Sequence, residues 1–368
     1  GYEYKDLPPF KNVYFTGMVR DDHGRKMSKQ LGNSPDPIDL MKKHSADGVR
    51  VGMLLSAPAG NDLLFKEQLC EQGRNFSNKL WNDLRLIKSW SVNSVEDETD
   101  ASKLADVWFT SMFAKTLEDI NANFDEFRIS DALMKTYKLS WDEFCSWYLE
   151  MVKPAFEKPI SQKTYEKTFA HFENVLRLVH PFMPFVSEEI WQQLSRREEN
   201  EHLMMNHWPE KTPFTNEYKI FDEVKQIVTE IRSVRKDKSI PMRDSLKLLV
   251  KGEKAEVKRY YPVLERLLNL SEVSMINDKV ENSLGFVVGN IEYFVPLEDL
   301  LDVEAEVERI NKEIDYLEGF LKSVEKKLSN ERFMENAPEK VVDIERKKQS
   351  DAMENLDLLR AQLKDLSH

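Results

Sequence analysis

Residues 303–328 read VEAEVERINKEIDYLEGFLKSVEKKL, and Val303, Val307, Ile310, Ile314, Leu317, Leu321, Val324 and Leu328 fall alternately four and three residues apart. That spacing keeps one apolar stripe of an α-helix turned toward a partner helix. The partner lies downstream, where Ala352, Leu356, Leu359, Leu363 and Leu366 repeat the same alternation. Between the two runs, NERFMENAPE (330–339) carries Pro338, which cannot sit inside a continuous helix without a kink. At a rise of about 1.5 Å per residue, each arm is roughly 40 Å long. Residues 301–368 are therefore expected to form an antiparallel coiled-coil hairpin. Glu345 and Gln349 occupy seam positions of the returning arm, so pairing is expected to be tight at the base and looser toward the tip.

Upstream, residues 216–300 read as a small α+β unit. Helices are expected near 217–236 and 254–270, strands at SLKLLV (245–250) and 272–276, and a hairpin in FVVGNIEYFVPL (286–297). Residues 96–215 read as a helical bundle with helices at about 102–122, 130–152 and 162–180. Their aromatic residues, Trp108, Tyr137, Trp141, Phe144, Tyr148, Phe169 and Phe172 among them, recur at helical spacing and suit a bundle core. In HPFMPFVSEEIWQQL (180–194), Pro181 and Pro184 break the run and Ser187 is expected to restart a short helix. Residues 34–95 form a helical connecting region with a long amphipathic helix at 66–90 and an acidic linker, SVNSVEDETD, at 91–100. The fold expected is mainly α.

The chain has 368 residues, 41% hydrophobic and 32% charged, with a formal net charge of -12. No apolar run is long enough to span a membrane. Cys70 and Cys145 are the only cysteines, too few for a disulfide framework or a Cys-rich zinc site, and no metal ligands are expected. A reducing cytoplasm is the compartment expected. The charge is uneven. Residues 225–259 hold eleven Lys and Arg against five Asp and Glu, a segment of +6 on an acidic remainder. It suits either a surface that grips a polyanion or a solvated helix face.

Residues 1–33 contain the remaining signal. VYFTGMV (13–19) reads as a strand, and it leads through RDDHG into GRKMSKQLGNS (24–34). A Gly-bounded loop carrying Lys26 and Lys29 is either a solvated turn or a place to handle phosphate. Asp36 as N-cap, Pro37 at the first helical position and Asp39 in the first turn then start a helix that would anchor the loop.

Together these features resemble a family. GRKMSKQLGNSPDP looks like the lysine-rich signature loop of class I aminoacyl-tRNA synthetases, and HSADGVRVGMLL like the segment following it in the branched-chain branch. RNFSNKLWN (74–82), WDEFCSWYLEMVKP, HPFMPFVSEEIW and KKLSNERFMENAPEKVVDIERKK resemble parts of the valyl-tRNA synthetase family. The resemblance implies a chain made of the end of a nucleotide-binding catalytic domain (1–33), a stem-contact region (34–95), an anticodon-binding bundle (96–215), an α+β junction (216–300) and a tRNA-binding arm (301–368). It implies ATP, used with Mg by the full-length enzyme, and valine and tRNA(Val) as ligands; a monomer is expected because an intramolecular hairpin uses up its own apolar seam. Lys29 would be the main ligand of the triphosphate in the transition state, with Lys26 in support and Met27 and Ser28 shaping the loop. Phosphate contacts would come from Arg232, Arg235, Lys236 and Lys238 and, near the hairpin tip, from Lys322, Lys326, Lys327 and Arg332, unless these are merely solvated.

Two departures qualify the resemblance. Gln30 stands where the signature ends in Ser, which leaves both lysines in place. None of the seven histidines lies three residues before another, so the family's His-x-Gly-His element is missing, as is its editing insertion. The chain is thus expected to be the C-terminal part of a longer synthetase and inactive by itself. Alternatives are an isoleucyl- or leucyl-tRNA synthetase fragment and a non-catalytic tRNA-binding protein whose coiled coil serves oligomerisation. An isoleucyl enzyme would be expected to lack the terminal hairpin and often to carry a Cys-rich zinc module.

Overall fold

Helix Pro37–His44 begins as its sequence demands. Asp36 accepts from the N–H of Ile38 at 2.7 Å and of Asp39 at 3.4 Å, with Pro37 in the first turn. Ser45 ends this helix and caps the next, Ala46–Leu55, by accepting from the Gly48 N–H at 3.1 Å. The second helix then crosses Glu67–Ser89 at very close range. A Cβ on Gly52 would lie 2.5 Å from Cys70 Sγ, and one on Gly73 2.8 Å from Gly48 O. Only glycine admits this approach, so these residues fix the angle at which the loop region meets the rest.

The structure, a computed structural model, describes residues 1–15, 17–57, 61–95, 97–280, 283–296, 303–329 and 339–366. Among these, no helix is long and apolar enough to cross a membrane. Helices Asp100–Asp125, Gln162–Val179 and Pro184–Leu194 enclose a fourth, broken run, Ile129–Lys138, Leu139–Tyr148 and Leu149–Val152. Trp108, Phe109, Phe144, Tyr148, Phe172 and Trp191 are all buried between them. Each removes enough apolar surface from water to contribute about 1.5–3 kcal/mol. Phe144 and Phe172 stack with centroids 5.4 Å apart. Trp108 meets Phe221 at 4.1 Å, joining the bundle to helix Glu217–Asp237.

That helix covers a four-stranded sheet in the order Leu270–Ile276, Leu246–Lys251, Ile291–Pro296, Ser283–Val288. The first pair is parallel and the other two are antiparallel. Gly289, with φ 61, turns the hairpin between the last two strands in sequence, a conformation that costs glycine nothing. The terminal helices, Val303–Leu328 and Glu339–Leu366, run antiparallel. Arg360 pairs with Glu318 at 2.8 Å about midway along, and Lys327 with Glu345 at 3.8 Å nearer the far end.

Several expectations need correction. Of 13–19, Thr16 lies outside the described residues, and only Val19 joins a strand, Val19–Arg20, paired with Leu63–Leu64. Val13 and Phe15 are exposed, with no second sheet edge beside them among the described residues. The 91–100 linker is tied down in part. Val92–Asn93 pairs with Ile160–Ser161, and Glu98 holds Lys167 at 3.0 Å. Glu96 of that linker lies outside the described residues. Pro184, not Ser187, begins its helix, since proline fits the first turn, where its missing N–H has no intrahelical partner. The helix expected at 254–270 is two, Ala255–Lys258 and Tyr261–Leu268, divided just before Pro262. The hairpin tip is outside the described residues. Short of it, the seam does not loosen, because Val324 and Val342 are buried much as Ile310 and Leu356 are, and Glu345 with them.

Leu139–Tyr148 is π-helical rather than α-helical. Apolar spacing cannot reveal this, because one inserted residue still leaves Phe144 and Tyr148 facing the core. The wider turn carries Cys145, whose Sγ donates to Asp83 Oδ2 at 2.6 Å. Burial raises the Asp83 carboxyl to about 6, with Lys79 3.7 Å away offsetting only part of the cost. The folded state therefore binds this proton more tightly than the unfolded chain does. Between about pH 7 and about pH 5, this site should add roughly 1 kcal/mol of stability as the pH falls, the reverse of an ion-paired carboxylate. Urea unfolding of wild type and Asp83→Asn across that range checks it. A wild-type-minus-variant difference independent of pH would contradict it.

Candidate functional site

The lysine loop is built on strand Val19–Arg20 and closed by one side chain. After the strand, the chain turns at Asp21–Gly24, with Gly24 at φ 76, and returns so that the Met27 N–H donates to Val19 O at 3.0 Å. The buried carboxylate of Asp21 accepts from the N–H groups of His23 (3.1 Å) and Arg25 (2.8 Å), from Arg25 Nε (2.8 Å) and from Asn33 Nδ2 (3.0 Å). The Asn33 amide, with Arg25 beside it, holds the Asp21 carboxyl well below the usual carboxylate range. The same amide of Asn33 donates to Lys26 O at 3.2 Å, while its Oδ1 accepts from the Ser28 N–H at 2.9 Å. One residue thus ties both ends of the loop to the turn below. Gly32, at φ 63, donates its N–H to Lys29 O at 3.2 Å and closes the last turn.

The predicted loop residues divide by direction. Met27 packs beneath the loop against a small cluster of Leu40, Leu63, Phe65 and Cys70, and Ser28 is half-buried with its Oγ accepting from the Leu31 N–H at 3.2 Å. Lys26 and Lys29 are exposed, and among the described residues neither has an ion-pair partner. A shaped backbone thus carries two uncommitted ammonium groups. Asp21 and Asn33 were not singled out from the sequence. Their signal was present, because Asp and Asn beside glycines are the residues that bond neighbouring backbone in turns. An open cleft of about 960 Å³ lies beside the loop, bordered by Asp21, Met27, Asn33, Lys43, Glu67 and Arg74. Most of its charges are answered locally. Lys43 pairs with Glu67 at 2.6 Å and Arg74 with Glu71 at 3.3 Å, and neither Lys26 nor Lys29 borders it.

The basic segment 225–259 is largely consumed by the fold. Lys225 pairs with Glu143 at 2.6 Å, Lys258 with Glu253 at 2.8 Å and Lys251 with Glu292 at 3.4 Å, while Lys254 meets Glu223 and Arg259 meets Glu217. Arg235 has to be removed from the candidates for phosphate contact. It is 4% exposed, and its guanidinium donates to the carbonyls of Pro241 (2.9 Å), Asp244 (3.0 Å) and Leu268 (2.7 Å), pinning the helix end to the first strand and helix of the sheet unit. Arg232, Lys236 and Lys238 remain, exposed together at the C-terminal end of Glu217–Asp237. On the hairpin, Lys322 and Lys326 are exposed and Lys327 leans toward Glu345. Arg332 lies outside the described residues.

Comparison with known proteins matches three family models in chain order. Residues 1–66 match tRNA synthetases class I (I, L, M and V), and 106–250 match the anticodon-binding domain of tRNA ligase. Residues 302–367 match the valyl tRNA synthetase tRNA binding arm. A valine–tRNA ligase of Christiangramia forsetii is 48% identical over 100% of this chain and 42% of its own length. One of Phocaeicola vulgatus is 51% identical over 96% of this chain and 40% of its own. The chain belongs to the valyl-tRNA synthetase family. It spans about two fifths of the length of these valyl-tRNA synthetase relatives. The arm model distinguishes the valyl family from the isoleucyl and leucyl alternatives, because it covers the coiled-coil hairpin itself. A solved LeuRS–tRNA–LeuAMS ternary complex of Agrobacterium radiobacter K84 is a looser likeness, at 23% identity and a TM-score of 0.42 over 55% of this chain and 25% of that one.

Proposed function

We propose that this chain supplies the lysine loop, the anticodon-binding bundle and the tRNA arm of a valine–tRNA ligase, an enzyme that activates valine with ATP and transfers it to tRNA(Val). The observation that carries the reading is the arm match at 302–367, on a chain alike throughout its length to valine–tRNA ligases. In-line attack of the valine carboxylate on the α-phosphorus forms the adenylate as the bond to the bridging oxygen breaks and pyrophosphate leaves, and it builds negative charge on the phosphate oxygens. Lys29 is proposed to meet that charge and Lys26 to support it, since cations fixed where charge develops lower the barrier most. The Asn33 clasp supports this role by holding the loop backbone while the two side chains stay free. Mg²⁺ is proposed to arrive with the triphosphate of ATP. The enzyme is proposed to be a cytoplasmic monomer. This chain alone is not expected to exchange pyrophosphate into ATP.

On the RNA side, Arg232, Lys236 and Lys238 at the helix end and Lys322 and Lys326 on the hairpin are proposed to contact tRNA, the lysines through its phosphates. Deleting residues 302–368 from the ligase should weaken tRNA(Val) binding while leaving valyl-adenylate formation within about twofold, since the two arms pack on each other and the lysine loop lies elsewhere in the chain. Both steps can be measured on the same truncated protein. Equal loss of both would mean that the hairpin supports the fold and not the RNA.

A further inference from the structure

Two tryptophans of the bundle lie beneath cationic side chains, and the two sites differ in one respect. Trp191 is buried, 1% exposed, with the guanidinium carbons of Arg177 and Arg197 at 5.2 and 3.7 Å from its ring centroid. Both arginines are also engaged elsewhere. Arg197 bonds Glu173 at 2.5 Å, and Arg177 bonds Asn206 at 2.9 Å and Asn174 at 2.7 Å. That site is finished. Trp147 is half-buried, its edge-on contact with Phe221 (5.8 Å, 90°) holding the ring from one side. Arg232 lies over the ring at 5.7 Å, exposed and, among the described residues, without an ion-pair partner. This site is open.

The surroundings add to the contrast. Trp147 sits on the π-helical segment Leu139–Tyr148, and π-helical turns are frequent at functional sites. Lys225 is also over the ring, at 5.8 Å, but Glu143 (2.6 Å) and Asp222 (3.7 Å) neutralise it, so it contributes no free charge. Lys236, one turn beyond Arg232, is exposed and unpaired among the described residues, with Asp237 the nearest opposing charge in sequence. The chemistry offered is an aromatic face, a mobile planar cation above it and an ammonium group beside them. An unpaired nucleotide is recognised by this set, its base stacking on ring and guanidinium and its phosphate meeting the ammonium. Two van der Waals contacts in a stack need about 7 Å between the outer planes. Arg232, 5.7 Å from the ring centroid and exposed, has room to swing and admit a base between the two groups.

We propose that Trp147 and Arg232 form a stacking site for one unpaired nucleobase of bound tRNA, with Lys236 placed for its phosphate. The proposal rests on the reading of this chain as tRNA-binding and goes beyond it in naming the site and its mode. The test is equilibrium binding of a tRNA(Val) transcript to the 368-residue chain across a salt titration, for wild type, Trp147→Leu, Trp147→Phe, Arg232→Ala and Lys236→Ala. Losing one base–aromatic stack should weaken binding about 5- to 150-fold in Trp147→Leu, with the slope of log affinity against log salt unchanged. Trp147→Phe should recover most of the loss, because a ring remains. Lys236→Ala should instead reduce the slope by about 1. Thermal unfolding of each variant separates lost binding from lost fold. Arg232→Ala, being exposed, keeps the test decisive if Trp147→Leu fails to fold, and it should weaken binding at least threefold. Binding of Trp147→Leu or Arg232→Ala within twofold of wild type would overturn the stacking site while leaving the tRNA reading intact, as would a Trp147→Phe loss equal to that of Trp147→Leu. Absence of any tRNA binding by the wild-type chain would overturn both.

Discussion

Lys29→Ala in the longer ligase should lower valine-dependent exchange of pyrophosphate into ATP by about 10² to 10³, the usual cost of removing one group that stabilises transition-state charge. The affinity for valine should change little, because nothing in the loop points to amino-acid recognition. The geometry makes the effect specific to the side chain. The loop backbone is held by Asn33, Ser28 and the turn at Asp21, none of which bonds the Lys29 ammonium. Alanine at 29 should therefore leave the loop in place and remove only the charge. Lys29→Arg should recover part of the rate, with the shortfall reflecting the broader, forked guanidinium. A Lys29→Ala enzyme within twofold of wild type would end any phosphate role for this residue.

Arg235→Ala should do what Lys29→Ala does not, and unfold the protein at much milder denaturant. The substitution removes a buried guanidinium from the carbonyls of Pro241, Asp244 and Leu268, and the last of these is itself buried. A hydrogen bond to a charged group is worth about 1.5–3 kcal/mol, so the loss of three such bonds is expected to cost at least about 3 kcal/mol in urea unfolding. Arg232→Ala, three residues earlier on the exposed side, should shift stability by about 0.5 kcal/mol or less. If the two substitutions were equally mild, Arg235 would have to be restored to the candidates for phosphate contact.

That pair also shows where sequence reading stops. Arg232 and Arg235 are the same residue type three positions apart in one basic run, and charge alone ranks them equally. Burial separates them, and it depends on a strand and a turn that arrive only with the tertiary fold. The same holds for the run as a whole, because its acidic partners, Glu143, Glu217, Glu223 and Glu292, are distant in sequence or lie on other elements. By contrast, the hairpin, the aromatic core of the bundle and the Asp36–Pro37 helix start were legible, since each is fixed by local periodicity or a local cap. The lysine loop was legible as a motif but not as a shape, for the clasp made by Asn33 appears only when the turn folds back on itself. The π-helical turn was invisible, because one inserted residue leaves the apolar pattern of the core nearly unchanged.

The central claim is that this chain carries the tRNA-binding surfaces of a valine–tRNA ligase. It is tested most directly by binding of the 368-residue chain to tRNA(Val), and to a tRNA of another specificity, from low to moderate salt. Phosphate contacts by Lys236, Lys238, Lys322 and Lys326 release counterions, so the affinity for tRNA(Val) should fall with a log–log slope of about -3 to -4. At each salt concentration, tRNA(Val) should bind more tightly than the other tRNA. A salt-independent affinity, or equal binding of the two tRNAs, would contradict the claim.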